Sequence, residues 1–125
     1  MCIICEAKTD YSQLIKLTEI TCYGCYDIKF IPRELINLTI LKCCDCPLLF
    51  YIPETLINLT YLQCSRCPLL KEIPKTLINL TYLHCSDNAL LSCIPKEFVK
   101  LTALYCYKSP LIKKYTKRIN KFNLS

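Results

Sequence analysis

The chain repeats at a spacing of 21 residues: Leu17, Leu38, Leu59, Leu80 and Leu101 fall in one column, each followed by Thr. Residues 56–74, LINLTYLQCSRCPLLKEIP, spell out most of the unit. A period of this length is the mark of a repeat array, in which one supersecondary unit cannot bury its apolar face alone and stacks on copies of itself. A residue that recurs in phase is therefore expected in the core before it is expected in a site.

Within a unit, Leu62, Gln63 and Cys64 alternate apolar and polar, the period of two of a short strand with one buried face. Pro68 cannot donate a ladder hydrogen bond and ends that strand. Leu70 and Ile73 follow at a spacing of three, then Pro74 and Leu77, too short and too Pro-marked for an α-helix, so a 3₁₀ or extended return is expected. The fold class that follows is a solenoid with a curved parallel sheet of about five strands and an irregular convex side. Residues 1–16 read as a degenerate half unit with Leu14 in the column of Leu35, residues 17–112 as the repeats, and residues 113–125 as a basic tail.

The pattern of Leu59, Leu62, Cys64 and Cys67 resembles the strand motif of the leucine-rich repeat family, L-x-x-L-x-L-x-x-N/C-x-L, with Cys in place of the third Leu. The continuation through Leu70, Ile73 and Pro74 is similar to the C-x-x-L-x-x-L-P variant of plant immune-receptor repeats. The column Ile28, Leu49, Leu70, Leu91, Ile112 agrees, whereas the neighbouring column of Leu69 admits Asp27. The wording, rich in Ile, Lys, Asn and Tyr, is also similar to repeat proteins of giant DNA viruses. What the resemblance implies is a protein-binding module without catalytic activity or cofactor.

Composition narrows the setting. At 125 residues the chain is one domain with a modest core, and 53% hydrophobic residues with a single Gly are incompatible with a disordered linker. No apolar run approaches the roughly 20 residues that cross a bilayer, and the start lacks the basic lead of a signal peptide, so a cytoplasmic address is expected. The net charge of +6 is gathered at the end, where six basic residues from Lys108 onward face no acid and the remaining ten balance all ten acids. The tail Lys113-Lys114-Tyr115-Thr116-Lys117-Arg118-Ile119-Asn120-Lys121 reads as a solvated face or a makeshift cap, with Ile112, Ile119 and Phe122 at repeat-like spacing. Nucleic-acid contact through it is the lesser reading.

Twelve cysteines raise the question of metal or redox chemistry. The pairs Cys2/Cys5 and Cys22/Cys25 are 16 residues apart, a spacing that by itself reads as a four-Cys zinc site. Against it, Cys22, Cys43, Cys64, Cys85 and Cys106 form one repeat column, and Cys25, Cys46 and Cys67 form another that continues as Asn88 and Ser109. The resemblance implies that Asn in this column satisfies backbone groups of the turn, with Cys as its usual substitute. A structural role is therefore favoured, zinc is kept as the alternative, and no metal ligand is assigned. Thioredoxin-type chemistry needs a helix N-terminus to hold a thiolate, and no helix is expected after any of these pairs. The sequons at Asn37, Asn58 and Asn79 are read as part of the repeat.

His84 is the single His, so any Cys-His dyad must include it. The register turns it out of the sheet while Cys64 and Cys85 point in, and the one outward strand cysteine, Cys44, lies two repeats away. No catalytic residue is assigned. The outward columns vary from repeat to repeat: Glu19, Ile40, Tyr61, Tyr82, Ala103; then Thr21, Lys42, Gln63, His84, Tyr105; then Tyr23, Cys44, Ser65, Ser86, Tyr107. In a solenoid that face is the binding surface. Tyr61, Tyr82, His84, Tyr105, Gln63 and Tyr107 are the expected contacts to an unidentified protein partner. Array ends without polar caps leave homo-oligomerisation as a further expectation.

Overall fold

The computed structural model describes residues 2–7 and 10–110. The short helix α1 (Ile3–Ala7) is followed by β1 (Glu19–Thr21), β2 (Ile40–Lys42), β3 (Tyr61–Gln63), β4 (Tyr82–His84) and β5 (Ala103–Tyr105). The strands form one five-stranded sheet in sequence order, all pairs parallel. Each residue pairs with its equivalent 21 positions on, as Leu41 with Leu62 and Leu62 with Leu83. A repeat period that equals the sheet register defines a solenoid, and the chain is one.

Each strand is three residues long with its centre buried and its flanks turned out. The ladder nevertheless runs on: the amides of Cys43, Cys64 and Cys85 each donate at 2.8 Å to Gln63, His84 and Tyr105 O of the next turn. Two residues further the chain bends at a column with left-handed backbone, Gly24, Asp45, Arg66, Asp87 and Lys108, with φ between 52° and 62°. Gly and Asp tolerate that conformation; Arg and Lys hold it because the turn stacked beside them repeats it.

Inside, Leu59, Leu62, Cys64, Cys67, Leu70 and Leu77 are 0% exposed. Leu49, Leu70 and Leu91 are likewise buried while Leu48, Leu69 and Leu90 stand in solvent, as the columns required. The convex return is irregular. Leu56 donates to Pro53 O and Leu59 to Leu56 O, and the same pair of bonds recurs at Leu77 and Leu80. These are the bonds of a 3₁₀ turn, but they stay isolated and no 3₁₀ helix forms among the described residues.

Side chains of the return join turn to turn. Asn58 and Asn79 Nδ2 donate at 2.9 Å to Ile36 and Ile57 O, and Thr60 and Thr81 Oγ1 donate to Thr39 and Thr60 O. Each Asn-Leu-Thr is thus a pair of inter-turn clamps around a buried Leu. The chain begins differently. Tyr11 O accepts from Leu14 and Leu14 O from Leu17, as in later returns, but residues before them form α1, which lays Cys2 and Ile4 on the core. A one-turn helix therefore follows Cys2 where no helix was expected, and this end of the array is partly covered rather than bare. The expected roles of Ile112, Ile119, Phe122 and the basic run fall outside the described residues. Among those described, no helix is long and apolar enough to cross a membrane.

Candidate functional site

The strand flanks set the site. Because β2 to β5 align in register, outward side chains of one column lie one strand spacing apart, and aromatic rings in such a column meet. Tyr61 and Tyr82 stack with centroids 4.1 Å apart and planes 2° from parallel. Tyr105 continues the row from the adjacent column, 5.4 Å from Tyr82 and 5.6 Å edge-on from His84. At the other end Lys42 Nζ lies 5.6 Å from the Tyr61 centroid and 3.9 Å from Glu19. The result is a row of half-buried rings across three strands, ending in a cation.

Beside the row runs a polar groove of about 270 Å³ at the strand ends, lined by Gln63, Ser65, Arg66, His84 and Asp87 among others. Tyr23 Oη donates to Gln63 Oε1 at 3.3 Å, closing one side. Arg66 holds Asp45 through a bidentate pair at 2.6 and 2.7 Å, exposed and so of small energetic weight. Ser86 Oγ accepts from the Tyr107 amide, whereas Ser65 Oγ, 6% exposed as a residue, has no hydrogen-bond partner among the described residues. Burial, with the Arg66 charge adding, lowers the His84 pKa below its ordinary 6.5, so the imidazole is neutral at pH 7. Burial and the Tyr61 hydroxyl raise the Tyr82 phenol, keeping it a neutral hydrogen-bonding group.

Of the expected contacts, Tyr61, Tyr82, His84 and Tyr105 come together, and Gln63 lines the groove beside them. Tyr107 is exposed at 56% but stands in the next column beyond the row, its ring met by Lys108 at 5.7 Å. The third outward column needs correction. Cys44, Ser65 and Ser86 were expected on the exposed face, and all three are buried. They are small and flanked by a neighbouring turn on both sides, whereas Tyr23 and Tyr107 at the ends of the column are long and lack a flank. Cys44 thus faces the groove on the outward side but is covered by its neighbours, and burial raises its pKa. Asp45, Arg66 and Asp87 were missed. Their signal was the single Gly24 in the same column, which marks the left-handed turn and so a side chain thrown outward.

The cysteines divide into two kinds. Cys46 Sγ donates at 3.4 Å to Cys22 O and Cys44 O, and Cys67 Sγ at 3.0 Å to Cys43 O. Asn88 does the same more completely, donating to Cys64 O and Cys85 O and accepting from the Cys67 amide at 2.8 Å. In this column Cys is the substitute for Asn that the sequence suggests. At the first turn, however, the sulfurs of Cys2, Cys22 and Cys25 lie within 4.8 Å of one another, and Cys5 Sγ is 3.7 Å from Cys2 Sγ. Burial pushes the Cys5 thiol up to about 12, helped by its hydrogen bond to Cys2.

Residues 58–80 and 79–101 each match the family described as Leucine Rich Repeat. A comparison with curated proteins finds no match.

Proposed function

We propose that this chain, which belongs to the leucine-rich repeat proteins, binds a protein partner across the outward face of its sheet. Repeats of this family generally mediate protein–protein interaction and are typically non-enzymatic. The observation that carries the reading is the Tyr61–Tyr82–Tyr105 row with His84 at its side. Rings held by one another lose little further freedom on binding and combine apolar area with a polar tip, the properties of interface hot spots. Gln63 and Tyr107 extend the surface at its edge.

Replacing Tyr82 and Tyr105 together with Ala tests this. A hot-spot pair contributes about 2 kcal/mol or more, so a partner captured by the full chain should bind at least roughly 30-fold more weakly, with the circular dichroism spectrum unchanged. Undiminished capture by a folded double variant would overturn the assignment of this face.

A further inference from the structure

The first turn gathers more sulfur than its packing requires. Cys2 immediately precedes α1 and Cys5 lies within it, while Cys22 and Cys25 flank the bend after β1. Cys2, Cys22 and Cys25 are buried, at 8%, 0% and 4% exposure, and Cys5 is partly buried against the same cluster. The three buried sulfurs are mutually within 4.8 Å, and Cys5 Sγ stands 3.7 Å from Cys2 Sγ. Thiolates about 2.3 Å from a central zinc ion, at the corners of a tetrahedron, are separated by roughly 3.8 Å. The Cys2–Cys22 separation of 2.6 Å is shorter and must open by about 1 Å for that geometry. The bend that carries Cys25 also differs from its copies. Cys46 and Cys67 donate to a carbonyl of the preceding turn, whereas Cys25, whose sulfur meets Tyr23 O at a long 3.8 Å, faces the α1 thiols.

We propose that Cys2, Cys5, Cys22 and Cys25 form a four-thiolate site for a thiophilic divalent cation, zinc, which fastens α1 to the first turn of the solenoid. Zinc suits the donor set because four sulfurs from two Cys-x-x-Cys pairs would supply a closed tetrahedral shell, the arrangement of a structural site, once Cys5, which lies beside Cys2 but outside the group of three, turns in to join them. A five-residue helix is too short to persist alone, and a metal bridge between it and β1 holds it where core packing reaches from one side only. The cleft of about 240 Å³ beside Cys5, lined by Ile4, Tyr11, Asp27 and Lys29, leaves a path for the ion to enter. Binding releases the thiol protons, so affinity falls as pH falls.

The test uses the full chain, reduced and offered zinc, then cobalt. Native mass spectrometry should find one zinc per chain, and the cobalt form should show the intense thiolate charge-transfer and ligand-field absorption of a tetrahedral sulfur site. The Cys5→Ser variant, changed at the most accessible of the four, should lose stoichiometric zinc and the cobalt spectrum, while Cys43→Ser with Cys46→Ser should keep both. A chelator should lower the melting temperature of the parent chain and leave that of Cys5→Ser unmoved. A reduced chain that takes up no zinc, or one whose zinc survives Cys5→Ser, overturns the proposal. So does a Cys2–Cys22 disulfide that forms in air with the metal present.

Discussion

In the middle turns, Cys43 with Cys46 and Cys64 with Cys67 put one sulfur into the sheet core and the other against carbonyl oxygens of the bend. In the first turn, Cys22 and Cys25 occupy the same two columns yet face Cys2, just before α1, and Cys5 within it. The spelling is the same in both places. What differs is the neighbour: a middle turn stacks on another copy of itself, and the first turn stacks on a helix that brings thiols instead of carbonyls. The chemistry open to a repeated motif is therefore decided by the stack around it, and the end of an array is where a structural residue can acquire a second role.

The largest effect expected from this difference lies in the core. Leu62 is fully enclosed between equivalent leucines of two neighbouring turns, so Leu62→Ala should cost about 2–5 kcal/mol in urea unfolding. Leu14, 3% exposed and packed at the end of the stack, should cost less, because a site with fewer fixed neighbours collapses more readily around the missing atoms. Equal losses would mean that the first turn is held as firmly as the middle ones. If chelation then lowered the cost of Leu14→Ala alone, the firmness would trace to the metal.

A smaller effect separates Asn from its sulfur substitute. Asn88→Ala leaves Cys64 O, Cys85 O and the Cys67 amide without their side-chain partner. Each buried group so stranded costs roughly 1–3 kcal/mol. Cys67→Ala removes a weak sulfur donor and a small volume, and should cost about 1–2 kcal/mol, less than Asn88→Ala by equilibrium unfolding. The ordering of the two variants is the measurement. A reversal would give the middle-turn cysteines a role beyond satisfying the bend.

Much of this was open to reading because stacking makes sequence period and sheet register one quantity. The alignment of Leu41, Leu62 and Leu83 in the sheet is the alignment of their columns, and the exposed Leu69 beside the buried Leu70 was decided by Asp27 in its column. The stacking of Tyr61 on Tyr82 followed from the same arithmetic, whereas Tyr105 joins them from the adjacent column. What escaped has a common cause: it depends on what lies beside a column rather than on the column. Ser65 and Ser86 are buried because flanking turns close over small side chains. The helix after Cys2 has no copy elsewhere among the described residues, and Cys2 and Cys5 stand 20 residues rather than 21 before Cys22 and Cys25, so the period says nothing of where they lie. The sulfur cluster was correspondingly hidden: its spacing was visible, but the register used to discount it says nothing of what stacks on the first turn.

The smallest effect comes from His84, in the fourth turn, and it separates the pH response of the middle from that of the end. Its pKa is held below 6.5, first by burial and then by Arg66, so the folded chain binds this proton less readily than the unfolded chain does. Stability is therefore untouched above pH 6.5 and declines as pH falls through that value toward the folded pKa. The residue is only partly enclosed, and solvent screening keeps the loss small. His84→Gln should flatten this part of the profile between about pH 7 and pH 5. Any slope left in the zinc-loaded variant belongs to the first turn, where falling pH returns protons to the thiolates and releases the metal, and it should vanish in His84→Gln combined with Cys5→Ser. A slope that persists in the combined variant would locate the remaining titration in neither place and break the division between first and middle turns.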